Sequence, residues 1–404
     1  MSGPVDDLVT VRVERPASGG GVGHLADGRV VFIRHGLPGE VVRARLTDET
    51  SKISRADAID ILEASPDRVS PACAHAHPGG CGGCDFQHAN LSAQLNWNSA
   101  VVRDHLRRIA GVERDVSVVA LASPAHARTR LRCAVDDEGA LSLRQFRRND
   151  LVALTSCQVA DQRFQAAFAT SWPFAEEVEL RAIGDGEPFA LVQRRTDRGT
   201  LFEICSLRGE PLEPSTHSRV AVEGQYFSVS PRSFWQSHRD APATLLRQVL
   251  AFADVAAGDH VVDLFSGVGL FSIPLARQVG PGGKVVAVES SPYAVRDARS
   301  NGDGLRQLKV REWSVTPRSV NDAVTAGDVV VVDPPRTGLA RGVADALIRR
   351  GPRRIVYVSC DAATFARDLR ALTAGGYHLA DLVTFDLFPM TEHVELVALL
   401  DLGA

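Results

Sequence analysis

The chain has 404 residues, of which 45% are hydrophobic and 23% charged, and its formal net charge is -4 at pH 7. This composition is that of an ordinary globular protein of two or three domains, and the slightly acidic balance does not indicate a strongly basic nucleic-acid-binding domain, so that any contact with a polyanion must be local. No run of about 18 uncharged apolar residues is present and the N-terminus has no apolar signal core, which predicts no membrane span and a cytoplasmic location.

Residues 8–63 read as short strands separated by turns that contain glycine and proline. Regular short strands with this punctuation predict a small β-barrel. The run at 23–32, followed by the turn Leu-Pro-Gly-Glu at 37–40, resembles the TRAM domain, a small RNA-binding barrel found on RNA-modifying enzymes. The resemblance implies that residues 1–65 bind RNA, and the alternative is a barrel that binds another protein.

Three cysteines lie close together in a glycine-rich loop at about residues 70–90, in the pattern Cys73-x7-Cys81-x2-Cys84. The chain has seven cysteines, and an odd number argues against a disulfide framework. Together with Cys157, the three offer four thiolates, the number that either a structural zinc ion or a cubane iron-sulfur cluster takes. Two histidines in the first gap are further candidate zinc ligands.

A helix is predicted for residues 96–111, and strands are predicted from about 126 to 235, with 129–135 and 140–146 joined as a hairpin. Arginines recur on both strands of this hairpin: Arg128, Arg130 and Arg132 on the first, and Arg144, Arg147 and Arg148 on the second. Because residues two apart share one face of a strand, these arginines are candidates for a groove that holds RNA phosphates. The alternative is an ordinary solvated surface.

From about residue 240, helical segments alternate with short apolar runs. This alternation predicts a doubly wound, Rossmann-like α/β domain, in which a parallel sheet is covered by helices on both faces. In such a sheet, ligands bind just beyond the carboxyl ends of the strands.

The first of these runs leads into a glycine-rich turn, DLFSGVG at 263–269, and the next run ends about 20 residues later at Glu289. Glycines let the backbone turn tightly and approach a ligand, and a carboxylate at this distance can bind both hydroxyls of a ribose. The absence of a third glycine disfavours dinucleotide binding. The turn resembles the cofactor loop of class I S-adenosylmethionine-dependent methyltransferases.

Three more candidates belong to the same edge of the predicted sheet: Asp333 in the motif DPPR, Cys360 after the run 354–359, and Glu395 before the last strand. A free cysteine is usually a small buried apolar residue, but this position favours a chemical role. A thiolate that adds to C6 of uracil makes C5 nucleophilic enough to accept a methyl group, and a base must then remove the C5 proton. Cys360 is the candidate nucleophile, and Glu395 is either this base or a solvated carboxylate.

Five motifs resemble the RNA 5-methyluridine (uracil-C5) methyltransferase family in chain order: FSVSPRSFWQ, VVDLFSGVG, DPPRTGL, VSCDAATFARDL and FPMTEHVE. The resemblance spans essentially the whole chain. It implies Cys360 as the nucleophile and Glu395 as the base. It also implies contacts to S-adenosylmethionine from four residues: Gln236, Phe265, Glu289 and Asp333.

The same resemblance implies a [4Fe-4S] cluster on Cys73, Cys81, Cys84 and Cys157, as in family members that modify 23S ribosomal RNA and carry a TRAM domain. The first cysteine gap is longer than is usual in the family, so zinc stays an alternative. Leu270 and His238 also depart from the family pattern, at positions near the cofactor.

The expected organisation is a barrel at 1–65, a mixed α+β central region with the cysteines and RNA-contact strands at 66–220, and a methyltransferase domain at 221–404. We expect a monomer that methylates C5 of a uridine in RNA, with 23S ribosomal RNA as substrate. Three alternatives stay open: a uridine in tRNA, C5 of cytosine, and a non-catalytic zinc-containing RNA-binding protein.

Overall fold

The computed structural model describes residues 8–49, 53–121, 125–173, 175–197, 199–213 and 217–403. None of the helices in these ranges is long and apolar enough to cross a membrane.

The N-terminal unit is a six-stranded sheet in the order β1-β5-β6-β4-β3-β2. Alternate residues along its strands are buried, and Val11, Val31, Ile33 and Val42 form its core. The predicted barrel is therefore present. Its strands are β1 (Leu8–Arg12), β2 (Arg15–Ala17), β3 (Gly20–His24), β4 (Val30–Arg34), β5 (Val41–Glu49) and β6 (Ile53–Glu63).

A loop that carries three of the cysteines leads to helix α1 (Leu91–His105), which begins where the Asn90 side chain accepts a hydrogen bond from the N–H of Ala93 at 2.9 Å. One wider helical turn, Leu106–Ala110, ends at Gly111 in a left-handed conformation. The short strand β7 (Val118–Ala120) follows.

The central region contains a six-stranded antiparallel sheet in the order β10-β9-β8-β11-β12-β13, followed by a separate hairpin of β14 and β15. The predicted hairpin is formed by β8 and β9, in which Ala134 pairs with Ser142. The elements are β8 (Arg130–Val135), β9 (Leu141–Arg144), β10 (Leu151–Ala153), a 3-10 turn (Gln162–Phe164), α2 (Gln165–Phe168), β11 (Glu177–Arg181), β12 (Phe189–Thr196), β13 (Gly199–Cys205), β14 (Ser218–Val222) and β15 (Gln225–Val229).

The C-terminal unit contains the predicted doubly wound sheet, in the order β18-β17-β16-β19-β20-β22-β21-β7. The first five strands are parallel, and β22 runs antiparallel between β20 and β21. The elements are α3 (Ala241–Ala253), β16 (His260–Leu264), α4 (Ser272–Val279), β17 (Lys284–Glu289), α5 (Pro292–Asn301), β18 (Leu308–Glu312), α6 (Pro317–Ala323), β19 (Val329–Val332), α7 (Val343–Arg350), β20 (Arg354–Ser359), α8 (Ala362–Ala374), β21 (Tyr377–Asp386) and β22 (Glu395–Leu402).

Both faces of this sheet are buried, as apolar runs in parallel strands require. Val261 and Val331 belong to the core on one face, and Val262 and Val330 to the core on the other. Three strands of the sheet were not predicted, namely β18, β21 and β7. Of these, β7 comes from the segment before the central sheet and pairs in parallel with Thr384–Asp386 of β21. The sheet thus extends beyond the boundary that we expected at residue 221, and the predicted domain limits stay a prediction.

Candidate active site

The glycine-rich turn between β16 and α4 folds back on the neighbouring strand. The backbone N–H groups of Phe265 and Ser266 both donate to the carbonyl of Val288, at 2.9 and 3.1 Å. Gly269 has φ of +93°, and a Cβ on it would lie 2.7 Å from Cδ1 of Ile273, so a larger residue does not fit without a shift. At Gly267, by contrast, a Cβ would meet no protein atom within 4 Å. The turn therefore leaves open space on the side of Gly267.

Glu289 is fixed against this turn by three backbone donors. One carboxylate oxygen accepts from the N–H of Gly267 at 3.0 Å, and the other accepts from the N–H groups of Ser290 and Ser291, both at 2.7 Å. The carboxylate is thereby held at the carboxyl end of β17, beside the open space at Gly267.

Three of the four residues predicted to contact the cofactor line one cavity beside this turn, namely Gln236, Phe265 and Asp333. The fourth, Glu289, accepts a hydrogen bond from the N–H of Gly267, and Gly267 also lines this cavity. Phe234 lines the cavity too and is 52% exposed, although the sequence analysis gave it no role. The signal that could have found it is an exposed aromatic residue two positions from Gln236.

The two residues that depart from the family pattern differ in their surroundings. Leu270 lines the cavity and is buried. His238 is buried as well, and its Nδ1 accepts a hydrogen bond from the N–H of Asp240 at 3.1 Å, next to the start of α3. Burial lowers the pKa of His238 to about 4, so the ring is neutral at pH 7. This histidine stabilises the helix start.

Cys360 directly follows the end of β20, and Glu395 is the first residue of the antiparallel strand β22. Ser359, the last residue of β20, pairs with Leu396 of β22, so the next pair along the same register is Cys360 with Glu395. Side chains directly opposite each other in such a pair lie on one face of the sheet, with Cβ atoms about 4.5–5.5 Å apart. Glu395 is buried with 4% exposure, and Cys360 is half-buried. The register therefore brings the predicted thiol and carboxylate together.

Burial and like charges control the protonation of this pair. Burial raises the pKa of Cys360 to about 12, and the charges of Glu395 and Asp333 act in the same direction. Burial, reinforced by the charge of Asp333, raises the pKa of Glu395 well above its usual value. For Asp333, burial and the charge of Asp263 raise the pKa to about 7. A buried carboxyl of raised pKa is a stronger base than an exposed one and therefore suits proton removal.

Arg336 is the cation of this site. It follows Asp333 on an exposed loop, and its positive charge lowers the pKa values of Cys360, Glu395 and His393. Among the residues that the structure describes, its guanidinium has no hydrogen-bond or ion-pair partner. It is therefore free to contact an anionic ligand at the mouth of the site.

The four predicted cluster ligands lie at one place, between the cysteine loop and the segment before the 3-10 turn. Burial raises the pKa of Cys81 and of Cys157, and in both cases the charge of Cys73 adds to the increase. The thiol of Cys84, whose pKa burial raises to about 12, is affected by both Cys81 and Cys157. Gln87 links two of these residues, because its amide donates to Sγ of Cys84 at 3.4 Å and accepts from the N–H of Cys73 at 3.3 Å.

In the described ranges, no group of three or more His, Cys, Asp or Glu side chains is arranged to hold a metal ion. The prediction of a metal centre on Cys73, Cys81, Cys84 and Cys157 is therefore not confirmed by the geometry. What the structure provides is four thiols close enough to influence one another electrostatically.

Four of the six arginines of the predicted phosphate groove fall into two groups. Arg130 and Arg132 form ion pairs with Glu179 and Glu177 on the adjacent strand β11, so two members of the groove are already neutralised. Arg147 and Arg148 lie instead at the tip of the loop after β9 and are exposed.

These two exposed arginines line a cavity of about 250 Å³ together with Arg34 and Arg55 of the barrel. Two aspartates also line it, so cations outnumber anions. The guanidinium carbon of Arg34 lies 3.7 Å from the ring centroid of Phe146, which joins the barrel to the β9 loop by a cation–π contact. We call this the cationic cavity.

Comparisons with known proteins match the chain along nearly its whole length. Residues 7–59 match the TRAM domain family, residues 309–402 match the family described as tRNA (Uracil-5-)-methyltransferase, and residues 242–332 match the TRM5/TYW2 methyltransferase domain.

Among curated relatives, an uncharacterized RNA methyltransferase of Streptomyces avermitilis is 35% identical over 96% of this chain and 97% of its own. The 23S rRNA (uracil(1939)-C(5))-methyltransferase RlmD of Edwardsiella ictaluri is 31% identical over 98% of this chain and 96% of its own. Among solved structures, the Pyrococcus abyssi tRNA (uracil-54, C5)-methyltransferase in complex with S-adenosyl-L-homocysteine is 26% identical, with a TM-score of 0.70 over 96% of this chain and 99% of its own.

Proposed function

Because the chain belongs to the TRAM-containing family of S-adenosylmethionine-dependent RNA uracil-C5 methyltransferases, we propose that Cys360 and Glu395 are its catalytic pair and a uridine of 23S ribosomal RNA its substrate. The observation that carries the proposal is the register of β20 and β22, which sets Cys360 opposite a buried Glu395. The family and the uracil target confirm the sequence prediction, while the residues and the particular RNA are proposals.

The chemistry follows from the two side chains. Cys360 first loses its thiol proton to solvent. Its thiolate then adds to C6 of uracil, and the displaced C5–C6 electron pair makes C5 nucleophilic. S-adenosylmethionine, when bound, supplies the electrophilic methyl group that C5 takes. Glu395 then removes the proton from C5, the C5–C6 double bond re-forms and the bond from Sγ to C6 breaks.

Four residues would hold the cofactor. Gln236, Phe265 and Asp333 line the cavity beside Gly267, where a Cβ would meet no protein atom, and Glu289 is held in place for two ribose hydroxyls. Such a combination of an open backbone turn and a fixed carboxylate fits a nucleoside.

Replacement of the two catalytic residues tests the proposal directly. Cys360→Ala should form neither product nor covalent protein–RNA adduct. Glu395→Gln should accumulate an adduct that survives denaturing electrophoresis, because methylated RNA then keeps its C5 proton and cannot leave Cys360. As a control, Cys205→Ala, at a buried cysteine of the central sheet, should retain activity. Full methylation by the Cys360→Ala protein would refute the proposal.

The choice of 23S ribosomal RNA is supported by relatives whose names give that substrate, at 31% identity over 98% of this chain. A tRNA uridine is the nearest alternative, since the solved relative acts on tRNA at 26% identity. Labelled methyl transfer to 23S ribosomal RNA and to tRNA from a strain that lacks the gene would separate the two. Exclusive labelling of tRNA would overturn the choice.

The cysteines would hold a [4Fe-4S] cluster. Their number and their chemistry fit, since cubane clusters take four thiolates and these four thiols share one location. Anaerobically purified protein should then contain about four iron atoms and four sulfides per chain, and Cys84→Ser should lose most of them while Cys205→Ser keeps them. One equivalent of zinc without sulfide would decide for the alternative.

A further inference from the structure

The loop between β21 and β22 is held by the barrel through Glu392, three residues before Glu395. Oε2 of Glu392 accepts a hydrogen bond from the N–H of Gly19 and a second from Oγ of Ser18, the latter at 3.3 Å. Gly19 and Ser18 lie in the glycine-rich turn between β2 and β3. The Glu392 side chain of the C-terminal unit is therefore hydrogen-bonded to a turn of the N-terminal barrel.

The cysteine loop holds the same segment from another side. The N–H groups of Asp85 and Phe86 both donate to the carbonyl of Met390, at 2.7 and 3.0 Å, and the N–H of Glu392 donates to the Asp85 carboxylate at 3.3 Å. Met390 has φ of +67°, a left-handed conformation that is uncommon outside glycine. The loop is thus fixed in an unfavourable shape by contacts with two other parts of the chain.

We propose that Glu392 is a positioning residue, which ties the barrel turn to this loop and so keeps Glu395 opposite Cys360. The first residue of β22 is Glu395 itself, so the loop determines where the strand starts and where this carboxyl lies. Gly19 and Arg34 line the cationic cavity and also line a smaller cavity with Glu392. RNA held in the cationic cavity would therefore contact the turn that holds Glu392.

This inference rests on the proposed function, because it concerns one of its steps. Bond formation between Sγ and C6 and methyl transfer to C5 do not need Glu395. Only the last step does: the C5 proton passes to the carboxylate, its electron pair restores the C5–C6 double bond and the thiolate leaves. A displaced Glu395 should therefore delay release of the product without preventing methylation.

The test compares variants of the full-length protein on the RNA that the wild type methylates. With Glu392→Ala, resolution of the covalent adduct should slow by roughly ten- to a hundredfold, as expected for a catalytic group that is misplaced by about an ångström. The adduct should accumulate on denaturing gels, while the affinity for S-adenosylmethionine in calorimetry stays within about twofold of wild type. Glu392→Gln keeps an oxygen that accepts from Gly19 and should resolve the adduct at close to the wild-type rate.

Glu63→Ala removes a carboxylate at the exposed end of β6, where it pairs only with Arg12 in the described part of the chain, and should behave as wild type. If Glu392→Ala does not fold, Glu392→Asp, which keeps the charge but is one methylene shorter, is assayed in its place. Adduct accumulation with Glu395→Gln but not with Glu392→Ala, or not with Glu392→Asp where that variant replaces it, would overturn this inference alone. If no covalent adduct accumulates with Glu395→Gln, the proposed function is overturned.

Discussion

At the scale of single residues, Cys360 is held in its unreactive form in the free protein. Burial raises its pKa to about 12, so the thiol is protonated at neutral pH, and the neighbouring carboxylates Glu395 and Asp333 act in the same direction. Arg336 opposes them, because its positive charge favours the thiolate. If Cys360 is the nucleophile, as proposed, the positive charge of Arg336 favours its reactive thiolate form.

The pH dependence of alkylation tests this account. Below a pKa of about 12 the thiolate fraction rises about tenfold per pH unit, so reaction of Cys360 with iodoacetamide should accelerate steadily from pH 7 to 9. Arg336→Ala should slow it at every pH, because loss of the cation raises the pKa further. Peptide mass spectrometry would follow Cys360 separately from the other cysteines.

Arg341→Ala provides the matched control, because Arg341 is an exposed arginine on the same stretch of the chain. A rate that is flat with pH, or equal in the Arg336 and Arg341 variants, would show that the local charges do not control the thiol.

At the scale of elements, the turn between β16 and α4 uses its two glycines for different purposes. Gly269 lies against α4, where a Cβ would lie 2.7 Å from Ile273. Gly267 instead faces the cavity that Gln236, Phe265 and Asp333 line. The first is needed for packing, and the second for ligand access.

Alanine at each position should separate these purposes. Gly269→Ala combines a positive φ with a steric clash and should lower the free energy of unfolding by about 1–3 kcal/mol in urea titrations. Gly267→Ala should cost about 1 kcal/mol, for its positive φ alone, but should weaken S-adenosylmethionine binding by tenfold or more in calorimetry. The reverse order of effects would mean that the cofactor does not approach Gly267.

At the scale of the whole molecule, positive charge is concentrated at the junction of barrel and central sheet, although the chain as a whole is slightly acidic. Arg148 is exposed there without an ion-pair partner among the described residues, whereas Arg132 is paired with Glu177. If RNA phosphates bind in the cationic cavity, these two arginines should contribute unequally.

The salt dependence of RNA binding measures the difference. Arg148→Ala should weaken binding and reduce the slope of log affinity against log salt by about 0.7, the value for one lost phosphate contact on a single strand. Arg132→Ala should leave the slope nearly unchanged. Fluorescence anisotropy from roughly 50 to 300 mM salt, where phosphate contacts contribute most to RNA affinity, would detect the difference in slope. Equal slopes for the two variants would exclude the cationic cavity as the phosphate site.

Local patterns predicted many of the strands and turns, but they could not predict which distant segments of the chain pair with each other. The run of four valines at 329–332 and the turn at 263–269 predict their structures directly, and motif and position make Cys360 the candidate nucleophile. The ion pairs of Arg130 and Arg132 could not be foreseen, because their partners lie more than 40 residues away. Nor could the insertion of β22 between β20 and β21, which sets Glu395 opposite Cys360.

The catalytic sheet also includes a strand that precedes the central region. β7 covers the outer edge of β21, and the helical turn after α1 places Leu106 in the same core as Phe365 and Leu369 of α8. A fragment that starts at residue 221 would leave β21 as a bare edge, ready to pair with another chain and aggregate. The C-terminal sheet therefore needs residues that precede the central region. Chimaeras between relatives should fold only when the crossover point lies before α1, so that α1, β7 and the C-terminal strands all come from the same protein.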